Sequence, residues 1–163
     1  MRRIFVFNYH FGGTISAMEA TAEKKYEQVL VKNGLKRTGA RLKVLDILSQ
    51  RDSATSQPYL ETVIGKETDR VTLYRILKTF EEKGIIHRIL DNNGTANYAI
   101  CSSSCSEHDH HDEHVHFNCS NCEKVFCIDD VKIPTIKIPE GFTPTQMNLV
   151  VTGICKDCNA LLD

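Results

Sequence analysis

Four cysteines of the chain stand in two C-x-x-C pairs, Cys119/Cys122 and Cys155/Cys158, with 32 residues between the pairs. Each pair presents two sulfurs from one tight turn. Two such knuckles facing each other can close a tetrahedron of thiolates around a structural zinc ion, with no position left for water. The alternatives for the same residues are reduced free thiols or a rubredoxin-like iron centre. Inside the stretch HVHFNCSNC, residues 114–122, His114 and His116 are left over. On a strand, residues two apart face the same side, so both imidazoles can reach one further ion while Val115 points away. His87, on the first strand of an expected hairpin, and Cys101, just after the second, are the candidate co-ligands, because pairing of those strands brings 87 near 101.

The mixture of His87, Cys101, His114 and His116 is borderline-soft and suits tetrahedral Zn²⁺, whereas a site for Fe²⁺ or Mn²⁺ should offer more carboxylates. Fe²⁺ and Mn²⁺ stay as the other candidate ions. Cys127, flanked by apolar residues, reads as a packed core cysteine, with a ligand or a redox thiol as the alternatives. Cys105 has no role that the pattern assigns. The run EHDHHDEH, residues 107–114, adds His108, His110 and His111. It reads as a solvated, metal-scavenging loop, although one of its histidines could replace His114 or His87 as a ligand.

The elements that must position these residues follow from periodicity. Apolar residues at helical spacing predict a helix over residues 21–32, ended by Asn33-Gly34, and a second over residues 38–50 with Thr38 as N-cap. A third starts near Ser56 with Pro58 in its first turn. The clearest helix spans residues 67–83: Asp69 or Thr68 caps it, Leu73, Ile76, Leu77 and Phe80 form its buried face, and Gly84 follows its last turn. The segments IIHRIL and TANYAI then flank a turn at Asn93-Gly94. Helices followed by a hairpin in this order make a winged helix-turn-helix, in which the helix before the hairpin enters the major groove. Arg70, Tyr74, Arg75 and Lys78 lie away from that helix's apolar stripe. They form either a solvated face or a nucleic-acid contact surface. Downstream, HVHFNC, KVFCI, IKIP and MNLVVTGIC read as strands of a small domain of about 50 residues, a size at which a metal staple supplements the core. The fold class is therefore α+β. The expected organisation is a leader or disordered extension over 1–17, a winged-helix domain over 18–100, a hinge with the His-rich loop over 101–112, and a metal-binding domain over 113–163.

Charge divides the same way. Residues 18–98 carry 14 Lys/Arg against 11 Asp/Glu, and residues 99–163 carry 4 against 10. The first balance of +3 suits nucleic acid, and the second, −6, suits metal cations. Hydrophobic content of 41% and charged content of 25% are those of a soluble globular chain with no membrane span. Arg2 and Arg3 precede an apolar patch, but that patch ends after Ile4 to Phe7, too short for a signal peptide. An odd count of seven cysteines, four in knuckles, points to a reducing, cytoplasmic location.

The segments GLKRTGARLKVLDIL, VTLYRILKTFEEKGIIHRI, HVHFNCSNCEKV and GICKDC, in this order and spacing, resemble the ferric uptake regulator (Fur) family of bacterial metal-sensing repressors over roughly residues 30 to 158. The resemblance implies a homodimer whose winged-helix arms grip a palindromic operator in double-stranded DNA when metal is bound. By position it makes Tyr74 and Arg75 major-groove contacts, with Lys36 and Arg41 as candidate backbone or minor-groove contacts. A cysteine near position 101 is typical of the zinc-uptake-regulator branch, so zinc is the expected co-repressor. Iron- and peroxide-responsive repressors are the alternatives within the family. The sequence departs from the family in three places: TSQPYL lacks the histidine often found there, Glu123 replaces glycine, and Cys127 stands where many members have a ligand glutamate.

Two other classes compete. A metalloenzyme would need an open metal position, but no H-E-x-x-H occurs and the four-cysteine set leaves no vacancy. Neither an enzymatic activity nor a small-molecule substrate is expected. A zinc-buffering protein would use the His-rich loop and would bind zinc without a DNA partner.

Overall fold

The computed structural model describes residues 15–101, 114–131, 133, 135–144 and 147–161, with side chains from residue 24 onward. The chain divides after Arg37 into two compact units. In the first, α1 (Ile15–Lys32) begins six residues before the expected start at residue 21 and crosses the expected boundary at 17/18. Its opening ISAMEA is rich in strong helix formers. Asn33 and Gly34 end it as read: Gly34 has φ +68°, and the Leu35 N–H donates to the Leu30 carbonyl at 2.8 Å.

The second unit opens with α2 (Gly39–Ser49), N-capped by Thr38, whose hydroxyl accepts from the Arg41 N–H. A two-residue strand, β1 (Thr55–Ser56), precedes α3 (Gln57–Ile64), and a 3-10 turn at Gly65–Glu67 leads to α4 (Arg70–Glu82). Of the two caps considered for α4, Asp69 is the one used; its carboxylate accepts from the Thr72 N–H at 2.9 Å and the Thr72 hydroxyl at 2.6 Å. The stripe Leu73, Ile76, Leu77 and Phe80 is buried, as are Val44, Leu45, Leu48, Leu60 and Ile64 of the other two helices. The hairpin β2 (Ile86–Leu90) and β3 (Ala96–Ile100) completes a winged helix-turn-helix, in a sheet of order β1-β3-β2. Gly94, at φ +77°, is in its turn. The Asp91 carboxylate organises that turn by accepting from the N–H groups of Asn93 and Thr95 at 2.9 and 2.8 Å.

A second three-stranded sheet has the order β5-β4-β6, with β4 (Val115–Cys119) antiparallel to β5 (Val125–Ile128) and parallel to β6 (Leu149–Gly153). The helix α5 (Lys156–Asn159) follows. IKIP, read as a strand, is not one: residues 136–139 pair with no strand among the described residues, and Ile136 and Ile138 are about half exposed. Alternating Ile and Lys made the strand pattern, but Pro139 and the turn at Glu140-Gly141 leave it no partner. Neither β1 nor α5 has a sequence signal, because both are shorter than any periodic window.

Register divides the second sheet into two faces. His116 lies opposite Cys127 and Val150, and Asn118 lies opposite Val125 and Thr152. These residues share the face that meets the hairpin, where Ala54, Ile89 and Val125 form a buried cluster with Ala99, Cys127 and Val150 packed on it. The other face carries Phe117 and Phe126 against Cys119, Cys155 and Cys158. One strand, β4, thus sends its histidine to one side and Cys119 to the other.

Candidate functional site

The four knuckle sulfurs lie within 4.8 Å of one another. Cys122 Sγ and Cys155 Sγ are 3.8 Å apart. A tetrahedral zinc with Zn–S bonds of about 2.3 Å has sulfur–sulfur edges of about 3.8 Å, so the donor set fits that ion. The Cys155 N–H donates to Cys119 Sγ at 3.3 Å. Backbone N–H groups of Cys122 and Cys155 directed at this sulfur lower the Cys119 thiol to about 6. Cys122 goes the other way: the Lys124 N–H favours its thiolate, but desolvation and the sulfurs of Cys119, Cys158 and Cys155 push it up to about 12. Four thiolates cannot share this space without a cation.

Glu123, just after the first knuckle, has φ +59°, and its N–H donates to the Cys119 carbonyl at 2.9 Å. It is the one described non-glycine residue in the left-handed region, where a Cβ costs about 1–2 kcal/mol. Glu123→Gly is therefore expected to stabilise the fold by up to about 1 kcal/mol, less than the full strain because glycine also frees the unfolded chain. A chemical-denaturation midpoint at or below the parent's would show that the strain is absent.

On the opposite face, ligand atoms of His87, His114, His116 and Cys127 also lie within 4.8 Å of one another. His87 Nε2 is 3.3 Å from His116 Nε2 and 3.4 Å from Cys127 Sγ. Those separations approach the edges of a tetrahedron with Zn–N near 2.05 Å and Zn–S near 2.3 Å, about 3.3 and 3.6 Å. The His114 and His116 rings are 4.5 Å apart between centroids. His114 Nε2 is buried and has no hydrogen-bond partner, while its Nδ1 is 3.8 Å from Asp129 Oδ1. A buried, unpartnered imidazole nitrogen directed into a cluster of donors is a ligand geometry.

Cys101 sits elsewhere. Its Sγ is 3.6 Å from His87 Nδ1, the other ring nitrogen, and it is not among the four residues that converge. Cys127 is the fourth member of the converging group and also packs on the buried cluster of Ala54, Ile89 and Val125, as the core reading expects. The signal was the antiparallel pairing of β4 and β5, which puts residue 127 directly across from His116; a single apolar-flanked cysteine does not reveal its strand partner. Cys105, His108, His110 and His111 lie outside the described residues.

Along α4, Arg70, Tyr74, Arg75 and Lys78 are exposed opposite the buried stripe. Arg70 pairs with Glu61 at 2.6 Å, and this guanidinium holds the Glu61 carboxyl below its usual range. Tyr74 is 54% exposed. Arg41 is half-buried in the first turn of α2, and Lys36 is exposed at the end of the first unit.

Residues 32–152 match the ferric uptake regulator family. The chain belongs to the ferric uptake regulator family. Ferric uptake regulation protein of Bordetella parapertussis is 33% identical over 141 residues, covering 81% of this chain and 96% of that protein. The fold is that of the Vibrio cholerae ferric uptake regulator (TM-score 0.54, 24% identity, 78% of this chain and 98% of that one). It is equally that of a zinc uptake regulator solved with zinc and DNA (TM-score 0.61, 20% identity, 92% and 98%). As a member of the Fur family the protein is a metal-responsive transcriptional regulator and not an enzyme. No helix among the described residues is long and apolar enough to cross a membrane.

Proposed function

We propose that this protein is a zinc-responsive repressor that binds a palindromic operator as a homodimer in the cytoplasm. The observation that carries the reading is the donor set His87, His114, His116 and Cys127. Three imidazoles and a thiol, with no carboxylate among them, suit Zn²⁺ better than Fe²⁺ or Mn²⁺. His87 comes from the winged hairpin, His116 and Cys127 from the second sheet and His114 from the residue just before β4, so an ion held there would fix the angle between hairpin and sheet. Cys119, Cys122, Cys155 and Cys158 would hold the structural zinc. An iron-responsive repressor is the second reading, favoured by the name of the 33%-identical relative. Operator binding titrated separately with Zn²⁺, Fe²⁺ and Mn²⁺ decides: zinc should act at the lowest free concentration, and activation by Fe²⁺ at lower concentration would replace the zinc reading with the iron one.

Support for a dimer comes from apolar surface. Val151 and Ile154, on and after the edge strand β6, are each 46% exposed, and Phe142 is 72% exposed. Val151 and Thr152 of β6 are exposed within one chain, leaving apolar surface that a partner copy would cover.

For DNA, Tyr74 and Arg75 would read the major groove from α4, with Arg70, Arg41 and Lys36 contributing further contacts. Arg75→Ala is expected to weaken operator binding by about 1–3 kcal/mol and relax its sequence preference. Lys36→Ala should weaken all DNA alike and reduce the salt slope by about one. Equal losses on operator and random DNA for Arg75→Ala would assign it to phosphate only.

A further inference from the structure

The site that would hold the regulatory ion is split between two elements, and a split site binds tightly only if something else holds its halves together. Row by row, the seam between the hairpin and the second sheet shows what does so. The first row is His116, Cys127 and Val150, facing His87. The next row is Asn118, Val125 and Thr152, two residues further along β4 and β6, or about 7 Å away. In that second row the seam is closed by hydrogen bonds. The Ala54 N–H donates to the Val125 carbonyl at 2.7 Å in an isolated bridge. Asn92, in the hairpin turn, bonds Thr152 in both directions: its amide donates to Thr152 Oγ1 at 3.1 Å, and the Thr152 hydroxyl donates to Asn92 Oδ1 at 3.3 Å. The apolar contact across the seam among the described residues is the small cluster of Ala54, Ile89 and Val125 with Ala99, Cys127 and Val150 packed on it.

We infer that Asn92 and Thr152 are positioning residues for the regulatory metal centre, forming a latch that holds the hairpin over the sheet so that His87 meets His116 and Cys127. Two attachments about one side-chain repeat apart prevent the hairpin from pivoting, whereas the metal row alone leaves it a hinge. The apolar cluster has too few side chains to close the seam by itself, so the closed arrangement is only partly populated without metal. The ion binds the closed arrangement, and its apparent affinity scales with that population. The sensitivity of the regulator is thus set in part by two exposed polar side chains that touch no ligand atom. This inference rests on the reading of His87, His114, His116 and Cys127 as a metal centre.

The test is zinc affinity measured on the full-length protein, with its four-cysteine zinc in place, by competition with a chromophoric chelator. Asn92→Ala and Thr152→Val each remove the reciprocal pair and leave backbone and strand propensity nearly unchanged. Each should weaken the second zinc equivalent about threefold to tenfold and leave the first unchanged. The double variant should be no weaker than either single one, because both remove the same interaction. Asn93→Ala, in the same turn but outside the pair, should match the parent. A parent that takes up only one zinc per chain defeats the metal-centre reading itself. A parent that takes up two, with latch variants that bind the second as tightly, overturns the latch. Additive losses in the double variant overturn it as well.

Discussion

Serine in place of Cys155 is expected to release one zinc per chain and to lower the thermal unfolding midpoint by roughly 10–20 °C, the equivalent of several kcal/mol in a domain of this size. Cys155 supplies a sulfur at 3.8 Å from Cys122, so its own knuckle loses one of its two thiolates and the tetrahedron loses a corner, while the backbone N–H to Cys119 stays. The knuckles hold α5 and the start of β6's return against Phe117 and Phe126, a cluster that is otherwise mostly sulfur. Since the proposed dimer surface includes β6 and Ile154, dimerisation should fail with the zinc. Metal analysis and sizing of the purified variant check this; a folded dimer with the parent's zinc content would remove the structural site.

The second large effect separates the two cysteines near His87. Cys127→Ser is expected to weaken zinc-dependent operator binding by at least about 100-fold, because a hydroxyl is a poor replacement for a thiolate ligand. Cys101→Ser should cost about tenfold or less, since serine can still accept a hydrogen bond from His87 Nδ1 and only the support of a ligand is altered. Both variants should keep the four-cysteine zinc. Cobalt substitution gives an independent reading: the sulfur-to-cobalt absorption from the second site should disappear in Cys127→Ser and persist in Cys101→Ser. The reverse order of effects would make Cys101 the ligand and return Cys127 to a supporting place in the seam.

Much of this protein is written in local patterns. The helix stripe Leu73, Ile76, Leu77 and Phe80, the glycines at 34, 84 and 94, and the spacing of the two C-x-x-C pairs each involve residues within a turn or two of one another. Their local consequences therefore do not depend on the rest of the fold, although the meeting of the two cysteine pairs does, since it needs β6 beside β4. The same holds for His114 and His116, whose separation by two residues puts them on one face of any strand. The sequence by itself determined the winged helix-turn-helix, the strand character of 114–119 and the identity of most metal-donor candidates. Which donors converge was decided only in three dimensions. Cys101 and His87 are near each other because the hairpin pairs locally, but His87 turns its Nε2, not its Nδ1, toward the second sheet. Cys127 reaches the same point because β5 pairs with β4 in a register that sets it against His116. The contacts of Ala54 with Val125 and of Asn92 with Thr152 link residues 71 and 60 positions apart. No short window contains them, because strand register and the docking of one sheet on another are set by the summed packing of both faces.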